Sequence, residues 1–205
     1  LSLHDALPIF SFYRIRSVCC SGTGLGTHPG VLARLWTTVS SQKALYPMVT
    51  TCLTASDRTK LDSLQARAGR TTLRLWPSTS ATSVHAMLGW LPLSSTVAAR
   101  KLSFLGSLVR APVTSPEYVL LARQAPRHGK SLIREWTALL LSVGLPSIQD
   151  LLLAPPSKIA WRSTIRSAFW SNVDIMWQDS LPPKSHLLRD LGHNPSKKLP
   201  LLSLP

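Results

Sequence analysis

Acid is what this chain lacks most. Nine Asp and Glu stand against 23 Lys and Arg over 205 residues, a formal charge of +14. Only Glu117 and Glu135 are glutamates, and no two acids are adjacent. Two-metal phosphoryl transfer needs clustered carboxylates to hold its ions, so that chemistry is excluded from this segment. Cysteine is scarce too. Cys19, Cys20 and Cys52 cannot supply four zinc ligands or a disulfide framework, and they read as reduced intracellular thiols. Long apolar runs are missing. The stretch from Leu139 to Ala154 is broken by Gly144, Pro146 and Asp150, short of the ~20 residues a membrane span needs. No membrane partner and no secretory signal are expected.

Catalytic and cofactor motifs are equally thin. No Gly-x-Ser-x-Gly elbow occurs. Gly129-Lys130-Ser131 resembles the end of a phosphate-binding loop, but Gln124 stands where the first glycine belongs, and Ser131 reads as a helix cap. Gly22-Thr23-Gly24-Leu25-Gly26 lacks the strand–helix unit of a dinucleotide fingerprint and reads as a flexible loop. His28, His85, His128, His186 and His193 are scattered, with no ligand partner at coordinating spacing. His85, beside Val84, reads as a hydrogen-bonded packing residue. No metal and no cofactor are expected.

Helix punctuation, by contrast, is frequent. Phe12 to Val18 is mildly strand-like, and elsewhere strand signals are rare. Pro29 or Gly30 opens a helix through Leu32, Leu35, Trp36 and Val39. Thr54-Ala55-Ser56-Asp57 is a capping box, and Leu61, Leu64, Ala68 and Leu75 form the apolar stripe of its helix. A short helix covers Ser80 to Leu88, with Gly89 suited to end it. Another runs from Ser94 to Arg110, with Val97, Ala98, Leu102, Leu105, Leu108 and Val109 inward. Ser115-Pro116-Glu117 starts a helix to Ala125.

Ser131 starts a further helix, built on Leu132, Trp136, Leu139, Leu140 and Val143 and closed by Gly144 and Pro146. Ser147 to Asp150 is a second capping box. The longest late helix spans about Ser157 to Gln178, facing inward with Trp161, Ile165, Ala168, Phe169 and Met176. A final turn covers Ser185 to Leu191. The fold expected is mainly α, an irregular multi-helix array with short Pro/Gly-rich connections. A poorly defined segment with one helix covers 10–53, a helical domain 54–180, and a Pro/Leu-rich tail 181–205.

A surface this one-sided repels itself unless it meets anions, with nucleic acid the first candidate and an anionic membrane surface the second. Arg67, Arg70 and Arg74 recur at i, i+3 and i+7, with Lys60 one heptad earlier. They form a strip beside the leucine stripe of the same helix. Arg162 and Arg166 stack at i, i+4 beside the apolar face of the late helix. Such strips suit phosphates, which give affinity and register but little sequence reading. Trp136 and Trp161, on apolar faces, read as core.

The order of several short motifs adds a resemblance. Leu61-Asp62-Ser63-Leu64-Gln65, Leu73-Arg74-Leu75 and Met87-Leu88-Gly89-Trp90-Leu91-Pro92 are followed by Ala99-Arg100-Lys101-Leu102-Ser103-Phe104-Leu105. Ala122-Arg123-Gln124, Ser131 to Trp136, Gly144-Leu145-Pro146-Ser147 and Lys158 to Trp161 come next. In this order they resemble the region C-terminal to the polymerase in non-LTR (LINE-type) retrotransposon reverse transcriptases. Leu45-Tyr46 resembles that family's Leu-Tyr-Gly step, with Pro47 where glycine is usual.

The resemblance spans about residues 20–190 and places the family's Tyr/Phe-x-Asp-Asp box upstream, outside this chain. It implies helical support for a missing upstream polymerase domain and contacts to an RNA or DNA backbone. Lys60, Arg67, Arg70, Arg74, Arg162 and Arg166 are the expected contact residues. Two alternatives stay open: a stand-alone helical protein-interaction module, and the product of a decayed reading frame. Finally, Leu1 to Ile9 resembles the translation of a common sequencing adapter. Those nine residues are expected to be an artefact outside the fold, with the natural N-terminus missing.

Overall fold

The computed structural model describes residues 28–126 and 132–180. The expectations for Phe12 to Val18, the Gly22–Gly26 loop, the Ser131 cap, the turn at Ser185 to Leu191, Cys19, Cys20, His128, His186 and His193 lie outside the described residues. The described chain is mainly helical and contains no strand. It falls into two compact units. Among the described residues the first comprises 28–47, 53–94 and 173–180, and the second 48–52, 95–126 and 132–172. Residues 54–180 thus contribute to both.

The first unit begins with α1, Pro29–Leu35, capped by His28, whose Nδ1 accepts from the Gly30 N–H at 3.2 Å. The helical path does not stop near Val39. It continues as a π turn over Trp36–Ser40, α2 over Ser41–Leu45 and a 3-10 turn over Tyr46–Val49. The π turn has a local cause. The Thr37, Thr38 and Ser41 hydroxyls donate to carbonyls three or four residues back, at 2.8–3.2 Å. Hydroxyls that compete for backbone acceptors loosen the α ladder.

Helix α3, Ala55–Leu73, starts on the expected capping box. Asp57 N–H donates to Thr54 Oγ1 at 3.2 Å, and Thr54 N–H donates to Asp57 Oδ2 at 3.1 Å. Its end was not expected. Arg74 adopts φ 54°, ψ 39°, a left-handed conformation that costs a non-glycine residue about 1 kcal/mol or more. The Leu75 N–H donates back to Arg70 O at 2.9 Å, and Leu75 packs against the core as a partly buried residue. This is the six-to-one closure and apolar contact of a Schellman end. Leu75 therefore belongs to the cap and not to the helical stripe.

The buried face of α3 carries Leu61, Gln65, Ala66, Ala68, Gly69 and Thr72, while Leu64 is half-buried. It packs on α4, Ala81–Leu88, which ends at Gly89 with φ 61° as expected. Ala33, Trp36, Ala68, Val84, Leu88 and Trp90 form one core cluster. Within it the Trp36 and Trp90 rings stack with centroids 6.0 Å apart. Gly69 sets the closeness of the two helices. A Cβ there would collide with Val84 Cγ1 and sit 3.0 Å from Leu88 Cδ1. Overpacking at such a contact costs about 1–3 kcal/mol. Gly69→Val should lower unfolding stability by about 2 kcal/mol in urea titration, and an unchanged midpoint would refute this packing.

Helix α5 spans Leu93–Val109. Its first turn is capped at long range by Asp62, which accepts from Ser94 N–H at 2.8 Å and from Ser94 Oγ at 2.6 Å. A carboxylate at a helix N-terminus satisfies an orphan donor and opposes the helix dipole. The second unit also holds α6 (Pro116–Gln124), α7 (Leu132–Ser142), α8 (Ile148–Leu153) and α9 (Lys158–Ser180) up to residue 172. Ser115 and Ser147 cap α6 and α8 as the sequence predicts.

Along α9, Trp161, Ile165 and Phe169 are buried at i, i+4, i+8. Trp161 lies where Gly106 leaves room on α5, since a Cβ at Gly106 would strike its indole ring. Its Nε1–H donates to Leu102 O at 2.9 Å. Trp136 is buried too, edge-on to Phe104. Both tryptophans are core, as expected.

Candidate nucleic-acid interface

On α3, Lys60 and Arg67 are exposed and one heptad apart, so they share a face. Arg70 is half-buried, and its Nε–H donates to Thr79 O at 2.8 Å. It braces the loop after the helix as well as carrying charge. Arg74 is exposed but sits in the left-handed cap beyond the last helical residue. The expected i, i+3, i+7 strip is thus a helical pair, a brace and a cap. Arg70 and Arg74 also lie at the helix C-terminus, where positive charge opposes the dipole.

The two acids of α3 are both engaged. Asp62 caps α5. Asp57 is held below the usual carboxylate range, first by the Thr54 hydroxyl, then by the Thr54 N–H, with Lys60 adding to both.

On α9, Arg162 and Arg166 are exposed and one turn apart, next to the buried Trp161–Ile165–Phe169 row. Lys158, exposed one turn earlier, extends this cationic row to i, i+4, i+8, a residue the sequence reading missed. No acid occurs from Lys158 to Val173. The row runs from the N-terminal end of α9, where the helix dipole adds positive potential. Among the described residues of the second unit, eight Lys and Arg stand against three acids. The two strips lie on different units.

One cation of the second unit is withdrawn from any surface role. Lys101 is 1% exposed, and its Nζ lies 2.7 Å from both Glu135 carboxylate oxygens. It also donates to Thr51 O at 2.6 Å. Elsewhere in this unit a cleft of about 570 Å³ opens among Ile133, Thr137, Ala138, Leu141 and Ile148.

In the first unit, His85 is buried, and burial pushes its imidazole down to about 4, with Arg70 adding and Asp62 opposing. Its burial agrees with the packing role expected for His85, and its Nε2 has no hydrogen-bond partner. Among the described residues no group of three His, Cys, Asp or Glu is placed to hold a metal ion. No described helix is long and apolar enough to cross a membrane.

No family model, curated protein or solved structure matches this chain.

Proposed function

We propose that this chain is a non-catalytic helical segment of a non-LTR retrotransposon reverse transcriptase that grips the backbone of RNA or DNA. The observation that carries the gripping role is the Lys158–Arg162–Arg166 row. It is exposed, acid-free, and mounted on a helix whose neighbouring buried row is anchored by Trp161. The formal charge of +14 supports the same partner. The origin rests on the motif order alone, and the polymerase itself would be supplied by a domain outside this chain. Phosphate contacts of this kind position a duplex without reading its sequence.

The test is a charge-removal series on duplex binding. Lys158→Gln/Arg162→Gln/Arg166→Gln should weaken binding equally on unrelated sequences and reduce the magnitude of the log–log salt slope by about 2–3. Lys60→Gln/Arg67→Gln should reduce it by about 1–2. Unchanged affinity and slope in the α9 variant would remove the row from the interface. A second reading, a helical module that takes a partner protein, is favoured by the cleft beside Leu141, a leucine exposed on its rim.

A further inference from the structure

The tryptophans of the described chain are not treated alike. Trp36, Trp90, Trp136 and Trp161 are buried and Trp170 is half-buried, whereas Trp76 is 80% exposed. A lone exposed apolar side chain needs no explanation by itself. Trp76 differs because the chain around it is fixed. Leu75, just before it, packs against the Trp36–Trp90 core cluster. Arg74 and Trp76 flank that anchor and are both exposed. Pro77 follows, restricting the Trp76 backbone to extended conformations. The turn closes when Thr79 N–H donates to Trp76 O at 3.0 Å, with proline at its second position. Thr79 O in turn accepts from Arg70 Nε at 2.8 Å. An indole is therefore held out to solvent on a pinned turn beginning in a strained residue, Arg74.

The charge around it selects the partner. Arg67 and Arg74 are exposed on the same stretch, and the sequence has no acidic residue between Asp62 and Glu117. A protein partner with an apolar pocket would not call for that one-sided charge. An exposed aromatic face on a stretch that also carries exposed cations suits base stacking, with the cations meeting flanking phosphates. Bases inside a duplex are already stacked, so an indole on a turn engages bases that are unpaired.

We infer that the Arg74–Thr79 turn is a stacking site for an unpaired base of single-stranded RNA or DNA, with Trp76 as the platform and Arg67 and Arg74 on the neighbouring phosphates. This rests on the proposed nucleic-acid role and adds the strand state it recognises. Because the turn is already ordered, binding loses little conformational entropy there.

The experiment measures the affinity of the full chain for two labelled probes by fluorescence anisotropy. One is an oligo-dT of about 12 nucleotides; the other is a hairpin-closed duplex of the same charge. Trp76→Ala should weaken oligo-dT binding about tenfold and leave the duplex within about twofold. Trp76→Phe, which keeps a stacking face, should retain most of the oligo-dT affinity. Equal affinity of wild type and Trp76→Ala for oligo-dT would overturn the stacking site, as would equal losses on both probes. If wild type binds neither probe, the proposed function falls and takes this inference with it. If it binds the duplex with salt-sensitive affinity while Trp76→Ala changes nothing, only the stacking site falls. Far-UV circular dichroism of Trp76→Ala, expected to match wild type, separates a contact loss from unfolding.

Discussion

Lys101→Met is expected to cost about 3–5 kcal/mol of stability, the range for removing one partner of a buried ion pair. Lys101 lies in the row Val97–Lys101–Leu105 of α5, where both neighbours are fully buried. Its ammonium meets both Glu135 oxygens and Thr51 O, so all three of its protons have an acceptor. Methionine fills a similar volume but removes the charge that balances a carboxylate only 12% exposed. Desolvating that carboxylate without the ammonium is the source of the loss. The companion variant Lys101→Met/Glu135→Leu should recover most of it, because a matched apolar pair avoids both desolvation costs. Urea unfolding monitored by circular dichroism decides the matter. A Lys101→Met midpoint equal to wild type, or a double variant no better than the single, would contradict this account of the pair.

Acid should weaken the fold through His85. Its imidazole is pushed from an ordinary 6.5 down to about 4, chiefly by burial, with Arg70 adding and Asp62 opposing. Below 6.5 the unfolded chain takes up a proton that the folded chain refuses until about pH 4. Stability is therefore full above pH 6.5, falls as pH drops through the window to 4, and levels off below it. A separation of this size corresponds to about 3 kcal/mol. Asp57 acts at lower pH, since its carboxyl is held below 3.8; its stabilisation is lost only as pH falls through that depressed value. The two contributions are thus separable. His85→Gln should flatten the stability profile between pH 6.5 and 4, whatever it does to absolute stability. A wild-type profile already flat over that window would refute a neutral, buried His85.

These two sites mark the boundary of what the sequence makes legible. The mainly helical fold is legible because its starts and stops are local chemistry. Thr54 with Asp57, Ser147 with Asp150, Ser115 before Pro116, and Gly89 each act within a few residues, and each takes its expected role. Contacts between distant positions are not legible in that way. Lys101 and Glu135 are 34 residues apart, and a lysine between Val97 and Leu105 reads as an ordinary basic residue. Nothing local to Gly69 or Gly106 reveals the side chains that occupy the space each leaves.

The candidate interface divides the same way. Arg162 and Arg166 follow from helical period, and Lys158 was one period away. Arg74 could not be placed, because left-handed caps favour glycine and nothing local marks an arginine there. Trp76 was invisible for a related reason: a tryptophan's exposure depends on what the rest of the chain packs against, and Leu75 takes the inward place instead.

The most direct measurement is the salt dependence of binding between the full chain and a duplex of arbitrary sequence. Lys158, Arg162 and Arg166 alone should release about three counterions, giving a log–log slope near −3, with the α3 cations steepening it. A slope of about −3 or steeper, the same on unrelated sequences, is the predicted result. No binding at about 50 mM salt, or an affinity indifferent to salt, would contradict the proposal that this basic helical chain holds nucleic acid by its backbone.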